Sequence, residues 1–320
     1  MIDYSSPVTH RVLGAIFGVL VIASIIGFIL ARRAKSESAK ATISNLNART
    51  KSWWVMVVVI LGALATGHLG TTIVFALVSF LALREFLTAT PTRRSDYYAL
   101  FAAFFIILPY QYWLVHTQWY GMFAIMIPVY AFVLLPILSV VGGDTADYLA
   151  RTARTQWGLM VCVYFISHIP MLLALELNID RPNMGSAGLV LFLVAVIQGS
   201  DVLQYVWGKL CGKRPVARVL SPKKTLEGLL GGVLTASLLG MAMFRLTPFN
   251  PVQAFTVSLL LCCTGFFGGL VMSAIKRERG IKDWGNLIEG HGGMMDRIDS
   301  LCFSAPIYFH ILRYFFPSSI

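Results

Sequence analysis

KRERGIKDWGNLIEGHGGMMDRIDS, residues 276 to 300, packs ten charged side chains and five glycines into 25 residues between two apolar runs. A second charged segment, GSDVLQYVWGKLCGKRPVARVLSPKKTLEGLLGG, opens at Gly199. Cations of the two segments, among them Lys223, Lys224, Lys276, Arg277, Arg279, Lys282 and Arg297, outnumber the carboxylates, among them Asp201, Asp283, Glu289, Asp296 and Asp299. That excess suits a ligand bearing several phosphates. Carboxylates within such a field need their own reason to be there, and a divalent cation supplies one. Mg2+ is typically held by one or two carboxylates together with phosphate oxygens. A charged side chain at mid-bilayer costs about 2.5 to 3.5 kcal/mol on insertion scales, so these acids are expected at the interface or in a wet cavity.

Each motif also has a plainer reading. In DRID, Asp296 and Asp299 stand at i and i+3, on one side of a helix, where they can share a metal; equally, Asp296 is an N-cap with Asp299 in the first turn. In SPKKT, Ser221 and Pro222 fit an N-cap followed by proline at the first helical position, with both lysines solvated. In HGG, His291 fits a loop hydrogen bond and Gly292 and Gly293 fit turn positions. The functional alternative is that the glycines let backbone N–H groups approach phosphate.

The elements that must position these residues are transmembrane helices. The 320 residues are 57% hydrophobic and 13% charged, about half the charge of a soluble domain, which points to an all-α polytopic membrane protein of nine or ten crossings. Windows long enough to span about 30 Å of hydrocarbon fall near 12–31, 53–67, 69–83, 97–115, 119–141, 157–175, 186–200, 225–244, 253–275 and 299–317. The second, third and seventh are short for a crossing. With the N-terminus outside, alternate connections (32–52, 84–96, 142–156, 201–224 and 276–297) hold 22 of the 26 basic residues, leaving Arg11, Arg181, Arg245 and Arg313 on the other side. This is the distribution expected of cytoplasmic loops, and it accounts for the net charge of +11 without nucleic acid. The first apolar run predicts a spanning helix rather than a cleavable targeting peptide. Residues 32–52 read as a basic linker touching anionic headgroups. Five cysteines, mostly in apolar runs, form neither a disulfide framework nor a CxxC pair. Small-residue seams at Gly228, Gly232, Ala236 and Gly240, and at Gly265, Gly269 and Ser273, predict closely packed helices. The expected organisation is a supporting bundle over 1–156, with a possible homodimer surface, and a catalytic region over 157–320 with cytoplasmic loops 201–224 and 276–297.

Taken jointly, Ser273, Lys276-Arg277, Lys282-Asp283, His291-Gly292-Gly293 and Asp296-Arg297-Ile298-Asp299 resemble the C-terminal signature of the phosphatidate cytidylyltransferases, or CDP-diacylglycerol synthases. Asp201, Tyr205 to Lys213 and SPKKTLEG (Ser221–Gly228) resemble that family's preceding block, and Arg84-Glu85-Phe86 echoes it faintly. The resemblance covers roughly 195–300. It implies transfer from CTP to phosphatidate, giving CDP-diacylglycerol and pyrophosphate, with Mg2+, at the cytoplasmic face of a bacterial inner membrane. Carried onto this chain, it implies Asp296 and Asp299 as metal ligands and Lys223 and Lys224 as triphosphate contacts. Lys276, Arg277 and Lys282 hold the lipid phosphate, Asp201, Asp283 and His291 orient partners or water, and Arg297 belongs to the catalytic set. Ser221, Thr225, Gly292 and Gly293 line the substrate. The chain departs from the pattern where Gly268-Gly269-Leu270 stands for the family's Gly-Asp-Leu, which removes a carboxylate. Glu289 replaces a common proline, and Gln204 replaces a usual alanine before Tyr205. Asp283 and Glu289 are both candidates for the missing ligand.

Other classes fit less well. A transporter would place ionisable residues in mid-helix, whereas acids here fall at segment ends. GGDTADYLAR (142–151) only partly echoes the CDP-alcohol phosphotransferase motif, and GKLCGKRP lacks the spacing of a Walker A loop. A catalytically idle scaffold of the same fold remains an alternative because of Gly269, as does a transferase acting on another lipid phosphate.

Overall fold

The computed structural model describes residues 6–33, 36–175, 177, 185–285, 287 and 292–316. Ten helices dominate it: α1 (Pro7–Arg33), α2 (Glu37–Ala65), α3 (Gly67–Ala89), α4 (Arg94–Thr117), α5 (Tyr120–Val141), α6 (Tyr148–Ala174), α7 (Ala187–Cys211), α8 (Leu226–Ala242), α9 (Pro251–Glu278) and α10 (Met295–Phe315). Among the described residues, α7 and α9, the first six helices and no others are long and apolar enough to cross a bilayer, α2 through its Leu46–Ala65 portion. The shorter α8 is apolar beyond Glu227 in its first turn, and α10 carries its charge at its two ends. The protein is an all-α integral membrane protein, and each apolar run seen in the sequence lies on one of the ten helices.

Several helices run on past their apolar stretch. Helix α2 begins at Glu37, inside the expected linker, because its Ala, Lys, Glu and Leu residues favour helix whether or not lipid surrounds them. The boundary expected at 156 falls within α6. The expected loop 201–224 is helical as far as Cys211 and then forms a short antiparallel hairpin, β1 (Pro215–Ala217) with β2 (Ser221–Thr225). Likewise the loop expected from 276 starts within the last turn of α9.

Helices α7 to α10 pack as one bundle, and α10 also lies against α3 and α6, so it is the seam between the two halves of the chain. Glycine sets the spacing of α7 and α8. A Cβ at Gly232 would stand 2.5 Å from the backbone nitrogen of Gln204, and one at Gly228 would stand 2.8 Å from the Gln204 carbonyl. Between α9 and α10, Gly268 lies against the Phe303 ring, where a Cβ would come within 2.6 Å. Bare backbone at these crossings lets the charged ends of four helices converge.

Candidate active site

SPKKT is a strand, and the helix after it is capped by Thr225, whose hydroxyl accepts the Gly228 N–H at 3.2 Å. Ser221 is therefore not the cap that the sequence suggested. Glu227 accepts the amides of Lys213 and Arg214 at 2.9 and 3.1 Å and so pins the start of the hairpin. Side chains alternate along a strand, and this separates the two lysines. Lys223 is exposed. Lys224 turns inward over the Phe266 ring, 4.8 Å from its centroid, and a Cβ at Gly269 would lie 3.2 Å from its ammonium.

Around Lys224 gather groups from three helices. Asp201 of α7 has Asp299, Lys224 and Arg297 as charged neighbours, with Ser300 as a hydroxyl neighbour. Asp299 has Lys276, Lys224 and Asp296 nearby, and its Oδ1 takes the Ser300 N–H at 2.8 Å. Arg297 sits among Asp201, Asp296 and Asp299, and its backbone carbonyl accepts from Gln198 at 3.0 Å. Asp201 is not a loop residue as expected: it lies in mid-helix, at the end of the apolar portion of α7.

Asp296 is differently placed from Asp299. Its Oδ1 pairs with Lys276 Nζ at 2.7 Å, the two side chains being only 5% and 10% exposed. Its Oδ2 accepts the N–H groups of Trp284 and Gly293 at 2.7 and 3.0 Å. The cap of α10 falls at Met294, so Asp296 is not the N-cap either. Its carboxylate holds Trp284 and Gly293 at the start of the helix, and three of its four lone-pair positions are taken. Lys276, expected on a lipid phosphate, is held by the same pair.

The glycines acquire a local explanation. Gly292 has φ +80°, and a Cβ there would stand 2.7 Å from Asp296 Oδ2, while Gly293 packs against the Glu85 carboxylate. In the described structure both make room for carboxylates. Arg277 donates to the Leu220 and Ile281 carbonyls at 3.3 and 3.0 Å and ties the hairpin turn to the following loop. Lys282 and Asp283 are exposed. His291 and Glu289 lie outside the described residues.

A second charged group includes Asp144 and Asp147, which the sequence offered only as a partial echo of another motif. Buried Arg151 pairs with Asp96 at 2.9 Å and donates to the Asp144 carbonyl at 2.6 Å, while Arg93 reaches Asp144 and Asp147 at 3.3 and 3.4 Å. The Ala146 N–H, and then Arg93, hold the Asp144 carboxyl below its ordinary range. The aspartates of GGDTADYLAR are thus occupied in clamping α4, α5 and α6.

Asp201 and Asp299, beside Lys224 and Arg297, offer carboxylate oxygens of the kind a hard divalent cation takes. Among the described residues no group of three or more His, Cys, Asp or Glu side chains is placed to hold a metal ion. Residues of both signs from α7, β2, α9 and α10 thus stand near one another at one end of the bundle. Residues 47–315 match the cytidylyltransferase family; the chain belongs to it and is a nucleotidyltransferase. YnbB of Escherichia coli K12, described as uncharacterized, is 38% identical over 310 residues, covering 95% of this chain and 98% of its own. The phosphatidate cytidylyltransferases of Aquifex aeolicus and Bacillus subtilis are 44% identical over 114 residues and 37% over 142. These matches cover 35% and 43% of this chain and 42% and 52% of those enzymes, so the chain spans about half the length of each.

Proposed function

We propose that the protein is a phosphatidate cytidylyltransferase, converting CTP and phosphatidate to CDP-diacylglycerol and pyrophosphate at the cytoplasmic face of a bacterial inner membrane. The observation that carries this reading is the convergence of Asp201 of α7, Lys224 of β2, and Arg297 and Asp299 of α10 on one patch at the charged end of the bundle. An oxygen of the lipid phosphate attacks the α-phosphorus of CTP. The bond from that phosphorus to the bridging oxygen breaks, and pyrophosphate leaves with the electron pair. A phosphate monoester is already anionic near neutral pH, so no strong base is required, and positioning with charge neutralisation supplies the catalysis.

In this reading Lys224 and Arg297 contact the transferring phosphates, while Asp201 and Asp299 would hold Mg2+. Bound there, the ion would draw charge from the triphosphate oxygens and ease departure of pyrophosphate. Asp296 and Lys276 fix the loop beside them. Lys223, exposed on the hairpin, and Arg277 and Lys282, on the adjoining surface, meet the incoming anions.

The test is formation of a chloroform-soluble nucleotide from labelled CTP, phosphatidate and Mg2+ by the purified protein. Chelation should abolish product. Asp299→Asn should lower turnover by about 10² to 10³, the range for loss of a group that stabilises transition-state charge. Turnover with another lipid phosphate but not with phosphatidate would keep the chemistry and replace the substrate. No nucleotide lipid from any acceptor would overturn the reading.

A further inference from the structure

Glu85 stands near the end of α3, in the first half of the chain, whereas Asp201, Lys224, Arg297 and Asp299 belong to the second. Neither carboxylate oxygen serves its own helix. Oε1 accepts the Met294 N–H and Oε2 the Met295 N–H, both at 2.9 Å. These amides open α10 and have no acceptor within it. Met294, at the cap position, offers no side-chain hydrogen bond, and Asp296 spends its oxygens on Lys276, Trp284 and Gly293. The cap of α10 thus comes from a residue 209 positions earlier. A carboxylate suits that place both as acceptor and as a negative charge at the positive end of the helix.

The surroundings are built to admit it. A Cβ at Gly285 would come within 2.9 Å of Glu85 Oε1, and one at Gly293 within 2.7 Å of its Cδ. The next residue, Phe86, stacks on Trp284 at 5.3 Å between centroids, and the Trp284 N–H is one of the two amides that hold Asp296. Helix α3 therefore grips both sides of the loop whose far end launches Asp296, Arg297 and Asp299.

We propose that Glu85 is a positioning residue of the transferase site: by capping α10 from α3 it fixes where that helix begins, and with it the placement of Arg297 and Asp299. Its kinetic consequences rest on the transferase reading; its structural consequences do not. A shift of about 1 Å in groups that align substrates can cost about 10²-fold in rate.

The experiment compares the full-length parent protein with Glu85→Gln, Glu85→Ala, Gly293→Ala and the double variant Glu85→Ala/Gly293→Ala, by hydrogen exchange and by steady-state kinetics. In Glu85→Ala, exchange at Met294 and Met295 should rise about tenfold or more through local opening, with α8 unchanged. The kcat should fall about ten- to hundredfold while KM for CTP moves far less, with Glu85→Gln, which keeps one acceptor, intermediate. Gly293→Ala drives a methyl into the carboxylate and should reproduce the loss. In the double variant that clash is gone, so the two effects should not add. Unchanged exchange at the two amides, or additive effects, would overturn the proposal. Should Glu85→Ala fail to fold, the same comparison runs on Glu85→Gln. If the parent turns over no lipid phosphate, the reaction assignment fails and the exchange data alone decide the positioning.

Discussion

Lys276 and Asp296 form a pair that is expensive to split. Both side chains are nearly buried, and removing one partner of such a pair typically costs about 3 to 5 kcal/mol because the other charge is left uncompensated. Lys276→Ala should therefore lower thermal stability in detergent sharply, whereas Lys282→Ala, at an exposed position, should leave it within about 0.5 kcal/mol of the parent. The neighbouring acids separate in the opposite way. Asp296→Asn should act chiefly on stability and on loop order, whereas Asp299→Asn should keep the melting temperature and lose turnover. Equal loss of activity with unchanged stability in both would return Asp296 to the metal. The sequence made these acids look equivalent because i, i+3 spacing shows only that they share a side of the helix. What divides them is Lys276, 20 residues upstream, and the backbone amides of Trp284 and Gly293, none of which spacing reveals. Gly269 illustrates the same limit. The missing carboxylate was visible at once, but not that its place faces the Lys224 ammonium and the Ser300 hydroxyl, 3.2 and 3.4 Å from where a Cβ would be. Since both neighbours are flexible ends, Gly269→Asp should fold and reduce the Mg2+ concentration needed for half-maximal turnover; an unchanged requirement would exclude that position from the metal site.

Helices and the hairpin were legible to different degrees. Apolar runs gave all ten helices because lipid demands length and hydrophobicity. Where α2, α7 and α9 continue into water that demand ends, and ordinary helix propensity extends them unseen. The hairpin was hidden for a related reason: five residues of SPKKT carry no alternation strong enough to outweigh a proline that looks like a helix start. The small-residue seams were the most informative local signal, and substitution tests them directly. Gly232→Ala would press a methyl on the Gln204 backbone, which cannot yield as a side chain can, and should cost about 1 to 3 kcal/mol. Gly62→Ala, in the last turn of α2 with nothing within 4 Å of a new Cβ, should be neutral or gain up to about 1 kcal/mol. Thermal unfolding of the two variants side by side checks the contrast, and equal effects would show that α7 and α8 are not held at backbone distance.

At the scale of the molecule, the split of basic residues makes a claim about sides that the contacts between connections support. Segments assigned to the inner side touch one another: Glu85 meets Met294, Arg93 meets Asp144, and Arg277 meets Leu220. Those assigned to the outer side do likewise, with Arg313 lying 3.6 Å over the Tyr120 ring, His68 stacked on His116, and Phe249 against Phe316. No pair just named crosses between the two sets, as a bundle whose connections alternate between two sides requires. Lys and Arg mark the cytoplasmic side, so Asp201, Lys224 and Asp299 are expected to face the compartment that holds CTP. A reporter inserted in the 142–147 turn should behave as cytoplasmic, giving fluorescence from green fluorescent protein and no alkaline phosphatase activity. One joined after Phe316 should do the reverse, because an even number of crossings returns the chain to its starting side. Matching signals at both positions would mean that one apolar helix fails to cross. A full inversion would leave the fold intact but turn the charged end away from the nucleotide, and the proposed reaction could not then draw on cytoplasmic CTP.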